Sequence, residues 1–212
     1  MLEASAQWRP KMLRLQEMAQ KDVPVVYLTA KLPPSEEEAW LSIVGVARKD
    51  MHMIRDVTTR PNIAYSVVKY GVEEEEQCVK GLVGEKLAQY PDGQVIVYCR
   101  TIKQVKRVAE YTGGQAFYRA IGNGEEKARI LRRLTGQSTR LFVATNALGL
   151  GVDAPQIRCV IHVGCPSEMK QYAQESGRAG RDEKASEAII MRTMKQDGRG
   201  EKGVGELRWS EP

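Results

Sequence analysis

The chain has 212 residues, 42% apolar and 28% charged, with 32 Lys and Arg against 27 Asp and Glu and a formal net charge of +5. That length supports one full hydrophobic core, or one core and part of a second. No apolar run is long enough to cross a bilayer, and the first twenty residues carry no continuous apolar stretch behind a basic tip, so neither a membrane span nor a secretory signal is expected. The basic balance, with a pI near 9.0, favours a polyanionic partner without requiring one. Cys78, Cys99, Cys159 and Cys165 make no C-x-x-C pair, which argues against structural zinc. Cys99 and Cys159 stand in apolar runs and read as small buried hydrophobes in a reducing compartment.

Residues 11–20 have helical spacing. The run 23–30, VPVVYLTA, is apolar and rich in β-branched residues, and predicts a buried strand. Pro33 and Pro34 end it. Ser35 with Glu38 forms the pattern of a capping box opening a helix through Ile43. An irregular stretch follows, with Arg60-Pro61-Asn62 as a hinge. From there strands and helices alternate. Strands are predicted over 63–68, 94–99, 116–120, 141–144, 159–163 and 188–191, and helices over 73–89, 103–111, 125–134 and 167–176. Such alternation implies a mostly parallel α/β sheet with helices on both faces. The Gly-rich, charged tail from Lys195 is expected to be disordered.

The chemistry concentrates between Leu141 and Asp182. Gln174, Gly177, Arg178, Gly180 and Arg181 form Q-x-x-G-R-x-G-R. Two arginines three residues apart are expected on one face of a helical turn, and guanidinium forks suit phosphate. Thr145 and Asn146 follow a buried strand, at the carboxyl end where α/β sheets bind ligands. Arg100 and Thr101 end another strand in the same way. Read by residue type alone, Thr145 and Asn146 also fit ordinary turn chemistry, and Asp153 fits a surface carboxylate. Lys103 and Arg107 read as a solvated basic face, and His162, in an apolar strand, as a packed histidine.

The segments ATNALGLGVDAP, VIHVGCP and QESGRAGRD together resemble motifs V and VI of superfamily 2 helicases, specifically the RecQ-like DNA helicases. VVYLTAKLPPSEEE resembles motif III, TTRPNIAYSV the crossing between motor lobes, and VIVYCRT motif IV. Several short motifs in order are far more specific than any one alone. The resemblance implies a RecA-like fold, that of the C-terminal lobe of a P-loop NTPase-type helicase, over residues 59–194. It implies a remnant of the first lobe over residues 1–58 and a tail over 195–212.

By the same resemblance, Arg181 is the arginine finger on the γ-phosphate of ATP, Arg178 supports the phosphate or links the lobes, and Gln174 positions water or the arginines. Gly151 and Asp153 face the nucleotide. Arg100, Thr101, Thr145 and Asn146 meet the DNA backbone. Thr29 and Ala30 relay the nucleotide state to the DNA side. The implied cofactors are ATP and magnesium in a complete motor, without zinc. The implied partners are single-stranded or partly duplex DNA and a first RecA-like lobe, with no membrane, and the implied location is the nucleus. Lys31 and Arg119 depart from the family pattern, which has Thr and His there. The sequence contains neither G-x-x-x-x-G-K-[ST] nor D-E-x-H after a strand, so this chain alone is expected not to hydrolyse ATP. The alternative is a non-catalytic fragment that binds nucleic acid or a partner.

Overall fold

The structure is a computed structural model and describes residues 17, 23–29, 32–55, 60–149 and 154–194. It divides into two compact units, residues 1–58 and 59–212.

In the first unit a 3-10 turn, Pro34–Glu36, leads into helix α1, Glu37–Val44. The helix buries Trp40 and Val44 and stops at Gly45, which takes the left-handed conformation with φ 69°. The capping box expected of Ser35 and Glu38 does not form, and no side chain caps this helix. Pro34 starts a tight turn instead, and Glu37 pairs with Arg48 and Arg55. The strand expected over 23–30 is absent from the described part, 23–29, where Val26 is 79% and Leu28 92% exposed. A strand needs a neighbour for its N–H and C=O groups, and no strand lies among the described residues of this unit. Ala30 and most of the helix expected over 11–20 fall outside the described residues, as does the tail from Lys195.

The second unit is built on a six-stranded sheet: β1 (Ile63–Tyr70), β2 (Gln94–Cys99), β3 (Gln115–Phe117), β4 (Leu141–Ala144), β5 (Ile157–Val163) and β6 (Ser186–Thr193), in the order β1-β6-β5-β2-β4-β3. Every pairing is parallel. The helices are α2 (Glu75–Gln89), α3 (Ile102–Thr112), α4 (Gly124–Thr135) and α5 (Met169–Ser176). The strand expected over 116–120 is shorter than its apolar run, because the chain turns after Tyr118.

Parallel strands buried on both faces read as unbroken apolar runs. β2, β4 and β5 are buried at every position. Alternate side chains serve two cores. Val95, Val97, Cys99, Cys159 and Ile161 meet Val79 and Val83 of α2 and Val105 and Val108 of α3. Ile96, Tyr98, Phe142 and Val160 lie on the other face with Ile130 and Leu134 of α4. Each such side chain contributes roughly 1.5–3 kcal/mol by burial. Burial also pushes the Cys99 and Cys159 thiols up to about 12, so both act as inert small hydrophobes.

Candidate functional site

β2 continues through α3 to β3 on one side of the sheet, while β5 continues through α5 to β6 on the other. The strand order therefore reverses between β2 and β5, and their carboxyl ends open a crevice, the place where such sheets bind ligands. The crevice measures about 240 Å3 and is lined by Arg100, Asn146, His162, Gly164, Ser167 and Glu175 with their neighbours.

Arg100, just past β2, is exposed, and its backbone N–H donates to Gln104 Oε1 at 3.1 Å. Thr101 caps α3: its hydroxyl oxygen accepts from the Gln104 N–H at 3.1 Å. Thr145 ties the end of β4 to β3, donating its N–H to the Phe117 carbonyl at 3.2 Å. Asn146 follows in a 3-10 turn that carries it into the crevice. The structure thus brings Arg100 and Asn146 together and leaves Thr101 and Thr145 beside them, shaping the loops. Gly151 and Asp153 lie outside the described residues. Thr29 is exposed on a cavity of about 820 Å3 within the first unit.

Behind the crevice stands a buried pair. His162 Nε2 is 2.9 Å from Glu175 Oε2, with side chains 5% and 6% exposed. The other carboxylate oxygen accepts from Gln171 Nε2 at 2.9 Å. The His162 ring stacks on Tyr98 at 5.2 Å and meets the edge of Tyr172 at 5.1 Å. Burial pushes the Tyr98 phenol up, and the Arg178 guanidinium beside it pulls the other way.

The arginine segment follows α5. The helix ends at Ser176, and residues 177–183 run as turns. Arg178 and Arg181 therefore do not share a helical face, as the i, i+3 spacing had suggested. The Gly177 N–H closes on the Ala173 carbonyl at 3.2 Å, and the backbone then leaves the helix. Arg178 is turned inward, 6% exposed, while Arg181 and Gln174 are exposed.

Four sets of contacts hold this segment. Arg60 donates to the Gly180 carbonyl at 2.6 Å and lies 3.4 Å from that of Ala179. Asn62 Nδ2 donates to the Gly180 carbonyl at 2.7 Å and to the Lys184 carbonyl at 3.0 Å. Gly180 takes φ 56° and donates its N–H to Ile157 at 2.8 Å. Finally, Arg158 on β5 forms a two-pronged bond with Asp182, and that bond holds the Asp182 carboxyl below the usual range.

Residues 76–183 match the family described as "Helicase conserved C-terminal domain". The chain belongs to this family, as a lobe of the RecQ-like kind. The "ATP-dependent DNA helicase RecQ" of Haemophilus influenzae is 30% identical over 173 residues, 80% of this chain and 27% of that protein. The "Probable ATP-dependent DNA helicase RecS" of Bacillus subtilis is 30% identical over 192 residues, 87% of this chain and 38% of that protein. This RecQ-like lobe thus spans about a quarter of the length of the RecQ relatives it matches. In fold it resembles Mss116p bound to ssRNA and AMP-PNP, with a TM-score of 0.67 and 13% identity over 89% of this chain and 41% of that one. Domain 2 of Mss116p bound to an RNA duplex gives a TM-score of 0.55 and 16% identity over 62% and 54%. The RecA-like sheet implied by the motifs is therefore the observed fold.

In this RecQ-like lobe, among the described residues, no helix is long and apolar enough to cross a membrane, and no cluster of three His, Cys, Asp or Glu could hold a metal ion. Reading the sequence missed Arg60, Asn62, Arg158, Asp182 and Glu175 as members of the site. Arg158 was the available signal: a charge inside the apolar strand IRCVIHV must find a carboxylate. The hinge residues gave no local signal, because their partners lie more than a hundred residues away.

Proposed function

We propose that this chain is the second motor lobe of an ATP-dependent, 3′-to-5′ DNA helicase of RecQ-like type. It supplies DNA-backbone contacts and an arginine finger to a site completed by a first RecA-like lobe. The observation that carries the reading is the juxtaposition of Arg100 and Asn146 at the reversal between β2 and β5, in the same unit as the exposed Arg181. A polar crevice at strand ends with Arg100 at its mouth suits phosphates of a single strand, with binding that weakens as salt rises. The names of the relatives, ATP-dependent DNA helicases, support the activity class.

In this reading Arg100 and Asn146 contact phosphates directly, while Thr101 and Thr145 hold their loops and offer hydroxyls alongside. Arg181 reaches toward the γ-phosphate, Gln174 orders water or the finger, and buried Arg178 braces the turn from beneath. Gly151 and Asp153 face the nucleotide. ATP, when bound between lobes, supplies the free energy for lobe closure. ATP and magnesium are read as cofactors of a complete motor. Residues 1–58 are read as the end of a first lobe carrying Thr29 and Ala30, and 59–194 as the second lobe. Nuclear residence goes with a eukaryotic source; the matched relatives include bacterial and plant proteins.

The test is ATP turnover by the purified chain, with and without single-stranded DNA. None is expected in either case, since the sequence holds no phosphate loop. Adding a first lobe from a RecQ relative in trans should produce turnover that Arg181→Ala lowers by about 10³-fold or more. Turnover by the chain alone would contradict this division of labour. The alternative, a non-catalytic binding module, is favoured by the missing loop and predicts DNA binding with no turnover even in trans.

A further inference from the structure

A buried carboxylate is costly unless it is paired and hydrogen-bonded, and an apolar side chain would anchor a helix to a sheet at lower cost. Glu175 is nevertheless buried at the α5–sheet contact, with both oxygens engaged. Its partner, His162, is fixed on two further sides by Tyr98 and Tyr172. What these contacts join is specific. Tyr98, on β2, and Arg100, just past its end, both line the crevice. The Tyr98 phenol also lies beside Arg178. His162 and Glu175 themselves form part of the crevice wall that holds Arg100 and Asn146. Glu175 lies three residues before Arg178, on the last turn of α5.

We infer that His162 and Glu175 are positioning residues that connect the β2/β5 crevice to the arginine segment. The inference rests on the DNA-backbone reading of the crevice. A phosphate drawn to Arg100 and Asn146 presses on the wall formed by His162 and Gly164. The hydrogen bond from Nε2 passes that displacement to Glu175, and the ring stack passes it to Tyr98. Both lead to Arg178, one through the last turn of α5 and one through the phenol. Hydrogen bonds are directional, so the pair fixes the rotation of α5 about its axis, which a greasy contact would leave looser. Nucleic-acid occupancy is thereby sensed where the finger Arg181 is held.

The experiment follows the arginine Nε–H resonances of the intact chain by NMR as oligo(dT) of about fifteen nucleotides is added, a length within the site size of single-strand binders. Signals are assigned with Arg100→Lys and Arg178→Lys. The expected result is that Arg100 and Arg178 both shift in the wild type. Glu175→Gln, whose amide oxygen still accepts from His162, should keep both responses. Glu175→Met should keep the Arg100 response and lose that of Arg178. If the Met variant melts, His162→Phe, which retains the ring stack and removes the hydrogen bond, carries the same comparison. An Arg100 shift without an Arg178 shift in the wild type overturns the inference and leaves the DNA-contact reading standing. An undiminished Arg178 response in Glu175→Met or His162→Phe overturns it too. No shift at Arg100 overturns both readings.

Discussion

Gly180→Ala should lower the stability of the second unit by about 3 kcal/mol in urea or thermal unfolding, although it adds only a methyl group. Gly180 sits at φ 56°, a region that costs an L side chain roughly 1–2 kcal/mol. The new Cβ would meet Asn62 Nδ2, come within 2.7 Å of Ser186 Oγ and within 2.8 Å of the Lys184 carbonyl oxygen. The last is backbone and does not swing aside. Asn62 would have to withdraw from the Gly180 and Lys184 carbonyls, forfeiting two hydrogen bonds worth about 1 kcal/mol each. A control at Gly81, where a Cβ meets nothing within 4 Å, should be neutral or stabilising, because Ala favours helix. A Gly180→Ala variant as stable as the wild type would mean the turn is not clamped as described.

The second large effect belongs to Asp182. Asp182→Ala removes the partner of Arg158, whose side chain is only 10% exposed, and leaves Ser186 Oγ at 3.2 Å as an acceptor. Breaking a buried pair from one side costs about 3–5 kcal/mol; Asp182 is 22% exposed, so about 3 kcal/mol is expected at pH 7. The sign of the pH dependence follows from the lowered pKa. Asp182 ionises more readily folded than unfolded, so its contribution is complete above the unfolded value, near 3.8, and is lost as pH falls through the lower folded value. The stability gap between wild type and variant should therefore be constant from pH 7 to about pH 5 and close below pH 4. A gap that persists unchanged at pH 3 would show that the carboxylate charge is not its source.

Both predictions concern a segment whose place in the chain was legible in the sequence and whose shape was not. The glycines and arginines of Q-x-x-G-R-x-G-R marked the segment as a candidate for phosphate contact, and the strand-ending positions of Arg100 and Asn146 placed them at one crevice. The sheet was legible because β2, β4 and β5 are unbroken apolar runs punctuated by turn residues. Helical spacing misled at Arg178 and Arg181, because periodicity describes a helix only while it lasts. The clamp from Asn62 and the Asp182 pair draw the chain out of it. The run VPVVYL misled for a different reason. Apolar, β-branched residues make a strand only where another strand offers hydrogen bonds, and among the described residues its unit has none. Glu175 was within reach of sequence reasoning: with Tyr172 and Ser176 it shares one face of α5, at spacings of three and four. That face is the buried one.

On the proposed reading, the β2/β5 crevice of this lobe holds nucleic-acid phosphates. The most direct measurement is the affinity of the purified chain for fluorescent oligo(dT) across a salt series, for wild type and Arg100→Ala. Binding that falls with salt is expected in the wild type. The variant should bind more weakly, with a salt slope reduced by about one unit, the signature of one lost phosphate contact. Binding that is absent in the wild type, or unchanged in strength and slope by Arg100→Ala, would contradict that reading.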